Sequence, residues 1–474
     1  MQPNQQQQRH FSTGPSETRR SVFQRSPQEV AELAEARTLY HEFAGKSDNR
    51  SRLMRDIMDP QNGIDLNPHN KLEKVIIDLR DSSLMQRLKF VNQLSTGSWA
   101  YHDATHSRFG HVLGVADLTA KILNYMGRHA SEPVKKQLEE YGPAVVAFGL
   151  THDLGHIAPG SHIAQRVWFP QEKDMHEEIS HRLLREDPGF RLELEMAISP
   201  EGARKLDLIV AESPLVPKWT WQLITSGGWN TDRGDWVSRD GHFCGVNYGM
   251  YDLPIITKNL TITDNGELGI REPGVTALES FFTARASMYR NVYGHKVAKI
   301  GEMMHVALGR RARELFAANK PIYADETMQA VLSAKSSSEL PLATMLDMVE
   351  YWWSSHVSQW AKSDDLTLSE LSKRILVRQP FKHYEPEATS DAILRRLVET
   401  SGLDPDYFFV QMRGSEVKLR EDLNKAFKVV LGDGTEKPLT DYSKLMSALS
   451  EIEKFQSEPY VAAPMDVYKF FKPQ

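Results

Sequence analysis

The sequence predicts a mainly α-helical protein with a small α+β module at its C-terminal end. Three observations lead there. Between about residues 80 and 380 apolar residues recur at helical spacing, most clearly over residues 107–126, where His111, Val115, Leu118, Ile122 and Tyr125 follow i, i+4, i+7, i+11, i+14. After about residue 385 the texture changes: Phe408-Phe409-Val410 and residues 427–431 read as strands, with a turn at Asp433-Gly434. The length of 474 residues exceeds one minimal domain, and 40% hydrophobic against 25% charged residues is a balance that builds a sizeable core.

Taken in order, residues 1–28 are rich in Gln, Ser and Arg and read as a disordered tail. Residues 29–80 form an N-terminal helical and irregular segment. Its helix opens at Ser26-Pro27-Gln28-Glu29, with Ser26 as cap and Glu29 at the third helical position. Residues 60–80 look irregular, with a short hairpin near Asn62-Gly63. The main body spans residues 81–384. Within it Pro143 can open a helix from its first position, leading through the buried run 144–150 into Thr151-His152-Asp153. Further helices are expected at 176–187, 276–317, 326–333, 339–361 and 367–376. Ile255-Ile256-Thr257 and Leu260-Thr261-Ile262 are β-like, with a turn at Asp264-Asn265-Gly266. Residues 385–474 form the α+β module, packed on the helical body. No internal repeat is present.

The net charge of −6 gives no indication of general nucleic-acid binding, which favours a basic chain. The single cysteine, Cys244, allows no intramolecular disulfide and fits a reducing compartment. No apolar run is long enough to span a bilayer, and the first residues lack the apolar stretch of a secretion signal. A cytoplasmic protein without membrane association is expected.

The chemistry concentrates at His152-Asp153. A charged aspartate at the end of a buried helix is costly unless it is paired or bound to a cation. His156 follows His152 at i+4, on the same face of a continuing helix. His111 lies on the apolar face of an earlier helix, and Asp232 stands in Thr231-Asp232-Arg233-Gly234-Asp235-Trp236 before another. Two histidines and two carboxylates suit one divalent ion (Mn, Fe, Mg or Zn) with positions left for water and phosphate. Each residue also has a plain structural role open to it: His111 as a core histidine, His156 and His162 at a helix end, Asp232 as a helix cap.

The segments Gln93-Leu94, His106-Ser107-Arg108-Phe109-Gly110-His111 and His152-Asp153-Leu154-Gly155-His156 resemble the HD-domain superfamily, in particular its deoxynucleoside triphosphate triphosphohydrolase branch. Residues 232–240 and 285–297 extend the resemblance, which covers roughly residues 75–380 in order. It implies a helical HD body and a metal held by His111, His152, Asp153 and Asp232. It implies His156, His176 and Asp232 as catalytic residues. Arg108, His162, Arg233, Arg285 and Lys296 are implied near the phosphates, Gln93 and Asp240 near the sugar, and Trp236 and Tyr293 near the base. A second Mg accompanying the triphosphate is compatible with it. This chain departs from the branch by Trp236 in place of a tyrosine, Gly234 in place of a tryptophan, and Gln165 in place of an acid. The loop between His156 and His162 is one residue longer than in animal members.

The implied reaction is hydrolysis of a dNTP to deoxynucleoside and inorganic triphosphate. Two alternatives share the same residues: an HD-type phosphatase or phosphodiesterase acting on a monophosphate or cyclic nucleotide, and a catalytically degraded nucleotide-binding regulator. The resemblance also implies a homo-oligomer. It places Asp81, Gln86 and Lys89 at a guanine-nucleotide effector site, against a plainer reading of the stretch as a helix start with Asp81 as its cap.

Overall fold

The computed structural model describes residues 19–43, 52–160, 162–225, 228–385, 388–412, 427–451 and 459–470, together with 416–417, 423 and 455–456. The chain is mainly helical, with short strands in small sheets. Most of residues 1–28 lie outside the described part.

Ser26 and Glu29 cap one another. The Ser26 amide donates to Glu29 Oε2 at 2.6 Å and the Glu29 amide to Ser26 Oγ at 3.2 Å, which opens α1 (Pro27–Phe43). The stretch expected to be irregular is ordered. Strands β1 (Arg52–Asp56) and β2 (Asp59–Leu66) form an antiparallel hairpin, and α2 (Lys71–Leu79) follows, capped by Asn70. The hairpin turns at residues 57–58, earlier than the Asn62-Gly63 signal. That pair sits inside β2, where Gly63 has φ 68° and a Cβ would lie 2.4 Å from the Met54 carbonyl oxygen. The next short helix, α3 (Ser83–Arg87), is capped by Ser82 rather than Asp81, with Ser82 Oγ accepting from the Met85 amide at 3.3 Å.

Helices α4 (Arg108–His129) and α5 (Glu132–Thr151) pack side by side at the centre. Pro143 does not open α5 but lies within it; Pro133, in the first turn, takes the opening role. An interior proline costs about 3 kcal/mol. Complete burial of Val145, Val146 and Leu150 contributes roughly 1.5–3 kcal/mol each, so packing outweighs the lost hydrogen bond. The helix ends at Thr151, so His156 lies on the turn after it, not one helical turn along.

The rest of the body comprises α6 (Ile163–Trp168), α7 (Met175–Glu186), α8 (Pro188–Val210), α9 (Trp219–Gln222), α10 (Thr231–Phe243) and α11 (Leu253–Asn259). Strands β3 (Leu260–Ile262) and β4 (Leu268–Arg271) precede α12 (Val275–Met288), α13 (Lys296–Ala317), α14 (Glu326–Ser333), α15 (Leu342–Asp347), α16 (Glu350–Trp360) and α17 (Leu366–Leu376). Four differences from expectation have local causes. Helix α8 occupies a stretch without a clear helical signal and bends at Ser199-Pro200. Residues 255–257 are helical, held by the Asp252 cap on the Ile255 amide. The single helix expected over 276–317 breaks at a π-turn over Tyr289–Tyr293 and restarts beneath the His295 cap. The one expected over 339–361 divides after Asp347.

The C-terminal segment contributes β5 (Lys382–Tyr384), α18 (Ala388–Thr400), α19 (Pro405–Phe408), β6 (Val410–Met412), β7 (Glu416–Val417), β8 (Lys428–Val430), β9 (Glu436–Pro438), β10 (Phe455–Gln456) and β11 (Tyr460–Ala463). Phe408 thus ends a helical turn, and the strand begins only at Val410. Strand β11 lies between β5 and β6. Strand β8 pairs in parallel with β4 of the body, Ile270 opposite Val429, in a sheet ordered β3-β4-β8-β9.

Helix α7 presses on the turn after α5 at Gly155. The Gly155 amide donates to Ser180 Oγ at 2.8 Å, and that hydroxyl donates to the His152 carbonyl at 2.9 Å. A Cβ on Gly155 would lie 2.0 Å from the His176 carbonyl oxygen and 2.5 Å from the Ser180 amide nitrogen. Both are backbone atoms with no room to step aside. Gly155→Ala is therefore expected to lower the unfolding free energy by roughly 1–3 kcal/mol, measured by urea titration. An unchanged midpoint would refute this close approach.

Candidate metal centre and phosphate pocket

Three helices bring four side chains to one point: His111 from the first turn of α4, His152 and Asp153 from the end of α5, and Asp232 from the first turn of α10. Asn230 caps α10 through the Arg233 amide, which leaves the Asp232 carboxylate to face inward rather than cap the helix itself. His111 Nε2 lies 3.0 Å from Asp232 Oδ1 and 3.7 Å from Asp153 Oδ2. His152 Nε2 lies 3.4 Å from Asp232 Oδ1 and 3.5 Å from Asp153 Oδ1. Despite these distances both Nε2 atoms are buried without a hydrogen-bond partner among the described residues. Each ring is held from its other side. His111 Nδ1 is 2.8 Å from Asp235 Oδ1, and His152 Nδ1 is 2.9 Å from the Gly149 carbonyl oxygen. Both partners accept only, so Nδ1 carries the proton and Nε2 presents a lone pair to the shared point. Two buried lone pairs facing two carboxylates without hydrogen-bond geometry fit a divalent cation.

The electrostatics agree. Burial opposes charge on His111, yet Asp232 and Asp235 outweigh it and push the imidazole up to about 10, so the carboxylates demand positive charge at this point, and a proton on the ring takes the place that a bound cation would fill. Burial raises Asp232, but His111 and His152 overcome it and hold the carboxyl well below its ordinary range. Asp153 is likewise held low, against its burial, first by Arg108 and then by the histidines. Arg108, singled out as a phosphate ligand, is paired directly with Asp153.

Beside the four lie three more histidines. His156 Nε2 is 3.4 Å from Asp153 Oδ1, and its ring stacks on His176 with centroids 4.2 Å apart. Asp153, His156 and His176 form a second cluster with ligand-type spacing. His162, at the rim, has its ring 5.9 Å from that of His156 and 5.5 Å from that of His176. Burial, reinforced by Arg108, pushes His156 well down; burial pushes His176 to about 3. Both rings are therefore neutral. Gln165, in the place of an acid, is committed to backbone: it donates to the Glu172 carbonyl at 2.7 Å and accepts from the Met175 amide at 3.3 Å.

A family model described as an HD associated region matches residues 252–352. The chain is 26% identical over 363 residues to the uncharacterized protein YwfO of Bacillus subtilis, covering 73% of this chain and 77% of that protein. It is 27% identical over 280 residues to the deoxynucleoside triphosphate triphosphohydrolase SAMHD1 of Homo sapiens, covering 53% of this chain and 43% of that one. These matches support an HD-domain, dNTPase-like family for the chain. It spans about half the length of the SAMHD1 relatives that it matches. In fold it matches the crystal structure of a phosphohydrolase from Bacteroides thetaiotaomicron with a TM-score of 0.73 and 24% identity, covering 88% of this chain and all of that one.

Away from the HD cluster, one face of α10 continues toward a second group of expected residues. Asp232, Trp236 and Asp240 follow at i, i+4 and i+8. Asp240 accepts from Tyr293 Oη at 2.7 Å and lies 2.9 Å from His106 Nε2. The Trp236 and Tyr293 rings meet edge to face at 5.4 Å. Arg285, buried on α12, lies over Tyr289, which itself contacts Trp236 and Tyr293. Gln93 is buried, and its Oε1 has no hydrogen-bond partner. Arg233 Nη1 donates to the Gly228 carbonyl at 3.1 Å, and the Lys296 ammonium stands 5.4 Å over Tyr460 of the C-terminal segment. Asp81, Gln86 and Lys89 line one separate pocket of about 410 Å³ with Arg52, Leu53, Met54, Arg80 and Phe109.

Several residues that shape the HD site were not picked out from sequence. Asp235 and Arg239 follow Asp232 at i+3 and i+7, a spacing that could have marked them. Arg87 carried no local signal. It is fully buried and donates to the carbonyls of Leu154, His156, Met345 and Leu346, tying the turn after α5 to the end of α15. Nor did Glu350, whose Oε1 accepts from the Gly160 amide at 2.6 Å and so holds the loop between His156 and His162.

Burial raises the Glu350 carboxyl to about 7, against the lowering effect of the Gly160 and Asn92 backbone bonds. Its folded form thus binds a proton more tightly than the unfolded chain does. Between about pH 4.5 and 7 the native state holds the extra proton, so stability falls as pH rises through that window. Glu350→Gln keeps an acceptor for Gly160 without the titration. Chemical denaturation from pH 5 to 8 is expected to show a flatter profile for the variant, and identical slopes would disprove it.

Proposed function

We propose that this chain is a divalent-metal-dependent phosphohydrolase that cleaves deoxynucleoside triphosphates to deoxynucleoside and inorganic triphosphate. The observation that carries the metal-dependent part is the convergence of His111, His152, Asp153 and Asp232 with two buried, unpartnered Nε2 atoms. The triphosphate substrate is supported by the SAMHD1 relatives and by the surroundings of that cluster.

His111, His152, Asp153 and Asp232 hold the ion. A divalent cation there supplies Lewis-acid polarisation of a phosphoryl oxygen and eases deprotonation of the attacking water. Water attacks the α-phosphorus, the bond to the 5′-oxygen breaks, and triphosphate leaves with the phosphorus. His156 or His176 delivers the proton that the departing 5′-oxygen needs: both rings are neutral without substrate, and the anionic phosphate beside them raises their proton affinity so that one can take up and pass on a proton. Arg108, fixed by Asp153, keeps positive charge beside the reacting phosphate. His162, Arg233, Arg285 and Lys296 supply donors for the remaining phosphate oxygens, with a second Mg riding on the triphosphate. Gln93 Oε1, buried and without a hydrogen-bond partner among the described residues, suits a sugar hydroxyl as donor, and Asp240, held by His106 and Tyr293, is the second residue assigned to the sugar. Trp236 and Tyr293 give the base an aromatic wall.

The test is product analysis of the purified chain, with Mn or Mg, against dNTPs, NTPs and dNMPs. Free triphosphate from dNTPs is the expected result. Orthophosphate or turnover of monophosphates would move the protein to the phosphatase alternative, and binding without turnover would make it a regulator. His152→Ala and Asp232→Ala are expected to abolish both turnover and metal retention. Full metal occupancy in either variant, by elemental analysis, would remove that residue from the site.

The pocket around Asp81, Gln86 and Lys89 supports a second part of the proposal: a homo-oligomer whose assembly a guanine nucleotide favours. Arg52, Arg80 and Lys89 give this pocket three cations for phosphates, while Asp81 and Gln86 offer polar atoms to a base. A ligand that binds only the assembled state promotes assembly by mass action. Light scattering with and without GTP or dGTP is expected to show a shift to larger mass. An oligomer indifferent to both nucleotides would rule out the effector, and an active monomer would rule out the oligomer.

A further inference from the structure

His111 is oriented from outside the ligand set by a chain of charges that ends on the N-terminal hairpin. Asp235 Oδ1 lies 2.8 Å from His111 Nδ1 and accepts from Arg239 Nε at 2.8 Å. Arg239 Nη2 donates to Asp235 Oδ2 at 2.8 Å. The other edge of the same guanidinium donates to Asp56 through Nη1 at 2.9 Å and Nη2 at 3.2 Å. One arginine therefore grips two carboxylates, each through two bonds, with its side chain 3% exposed. One neighbour, Gly114, leaves these groups little freedom. A Cβ on Gly114 would fall 2.0 Å from Asp235 Oδ2 and 2.4 Å from Arg239 Nη2, so only glycine admits them. Asp56 closes β1, immediately before the hairpin turn.

We propose that Asp56 and Arg239 are positioning residues for the metal centre: through Asp235 they fix the tautomer and aim of His111, and so set the affinity for the divalent ion. The inference rests on the metal-centre reading above. The physical reason is charge balance as well as geometry. Arg239 facing Asp235 alone would draw that carboxylate fully to itself and leave His111 Nδ1 with a poorer acceptor. Asp56 shares the guanidinium, so Asp235 keeps its hold on His111. Arg239 is pushed well above its ordinary range by Asp235 and Asp56, against its burial, so the bridge stays charged at every working pH. The hairpin has a further connection. Residues Arg52, Leu53 and Met54 of β1 line the pocket of Asp81, Gln86 and Lys89, while Asp56 lines a cleft of about 1010 Å³ between the hairpin and α4, α10 and α11. The strand that closes one pocket thus carries the carboxylate at the end of the chain of charges.

The experiment uses the full chain and Mn2+ as probe. Isothermal titration calorimetry would compare wild type with Asp56→Asn, Asp56→Ala, Arg239→Lys and, as control, Asp59→Asn. Asp59 lies opposite Asp56 across the hairpin turn, and its carboxylate is held within its own strand by Asn62 and Gln61 and makes no bond to Arg239 among the described residues, so the control removes the same charge without removing a side chain of the relay. Loss of a direct outer partner of a metal ligand typically weakens binding about 10–100-fold. Lysine cannot reproduce the two-sided grip, so Arg239→Lys is expected in that range. Asp56, one step further out, is expected to weaken Mn2+ about threefold as Asn and about tenfold as Ala, with Asp59→Asn unchanged. Thermal unfolding of the metal-free proteins separates this from a merely structural role, which would lower the midpoint and leave Mn2+ affinity alone. If Asp56→Ala does not fold, the near-isosteric Asp56→Asn decides. Wild-type affinity in folded Asp56→Asn and Arg239→Lys would overturn this inference while leaving the metal centre standing. Absence of saturable Mn2+ binding in the wild type would overturn the metal centre itself.

Discussion

The buried carboxylate of Asp153 is the constraint around which this molecule is arranged. It stands at the end of a helix whose preceding residues are apolar and buried, where an isolated charge is expensive. The fold answers with Arg108 from the start of α4, in direct contact, and with three imidazoles within 3.7 Å. Truncating any of these leaves the others over- or under-compensated, because a broken buried pair is worse than none. That interdependence explains why α4, α5 and α10 converge here by their ends. Helix termini place charged side chains at the boundary of the core without opening the core itself.

The glycines beside the site follow from the same crowding. Gly155 lets α7 come down on the turn after α5, and through Ser180 this holds the His152 carbonyl. Gly114 makes room for the Asp235–Arg239 pair against α4. In both places the side chain absent from the glycine is replaced by a polar group serving the centre. Close packing and polar satisfaction are therefore one requirement, met by the same residues.

How much of this was legible in sequence depended on the distance over which each signal acts. The helices around the site have strong local periodicity, and Ser26–Glu29 is a cap of two residues; both could be read directly. The four convergent residues could be read because each lies beside a recognisable run of residues, and the structure brings His111, His152, Asp153 and Asp232 together. What escaped was set by partners far along the chain. Pro143 read as an opener because the packing of α5 on α2 and α4, which carries the helix through the proline, has no local signature. Residues 60–80 read as irregular because Asn62-Gly63 suggests a turn, whereas the pairing of β1 with β2 decides otherwise. Arg87 and Glu350 act through backbone atoms of a loop roughly 70 and 190 residues away, and nothing adjacent to them shows it.

The same distinction bears on the C-terminal segment, which the change in texture near residue 385 presents as a separate module. Its strand β8 instead completes a sheet begun in the body, lying parallel to β4. The chain leaves β4 through a single turn of 3-10 helix over Glu272–Gly274 and enters α12, which carries Arg285. The Gly432 amide and Tyr442 Oη both bond to Glu272 in that turn, and Ser443 Oγ bonds to Glu279 on α12. Tyr460, on β11, lies beneath Lys296 at the start of α13. The C-terminal strands thus brace the two helices that present Arg285, Tyr293 and Lys296, while α4, α5 and α10 present the HD cluster. The half of the site that carries the HD cluster depends on the core of the body, and the half around Arg285, Tyr293 and Lys296 depends on the C-terminal segment as well. Changes that loosen β8 from β4 would act on the second half before they reached the first.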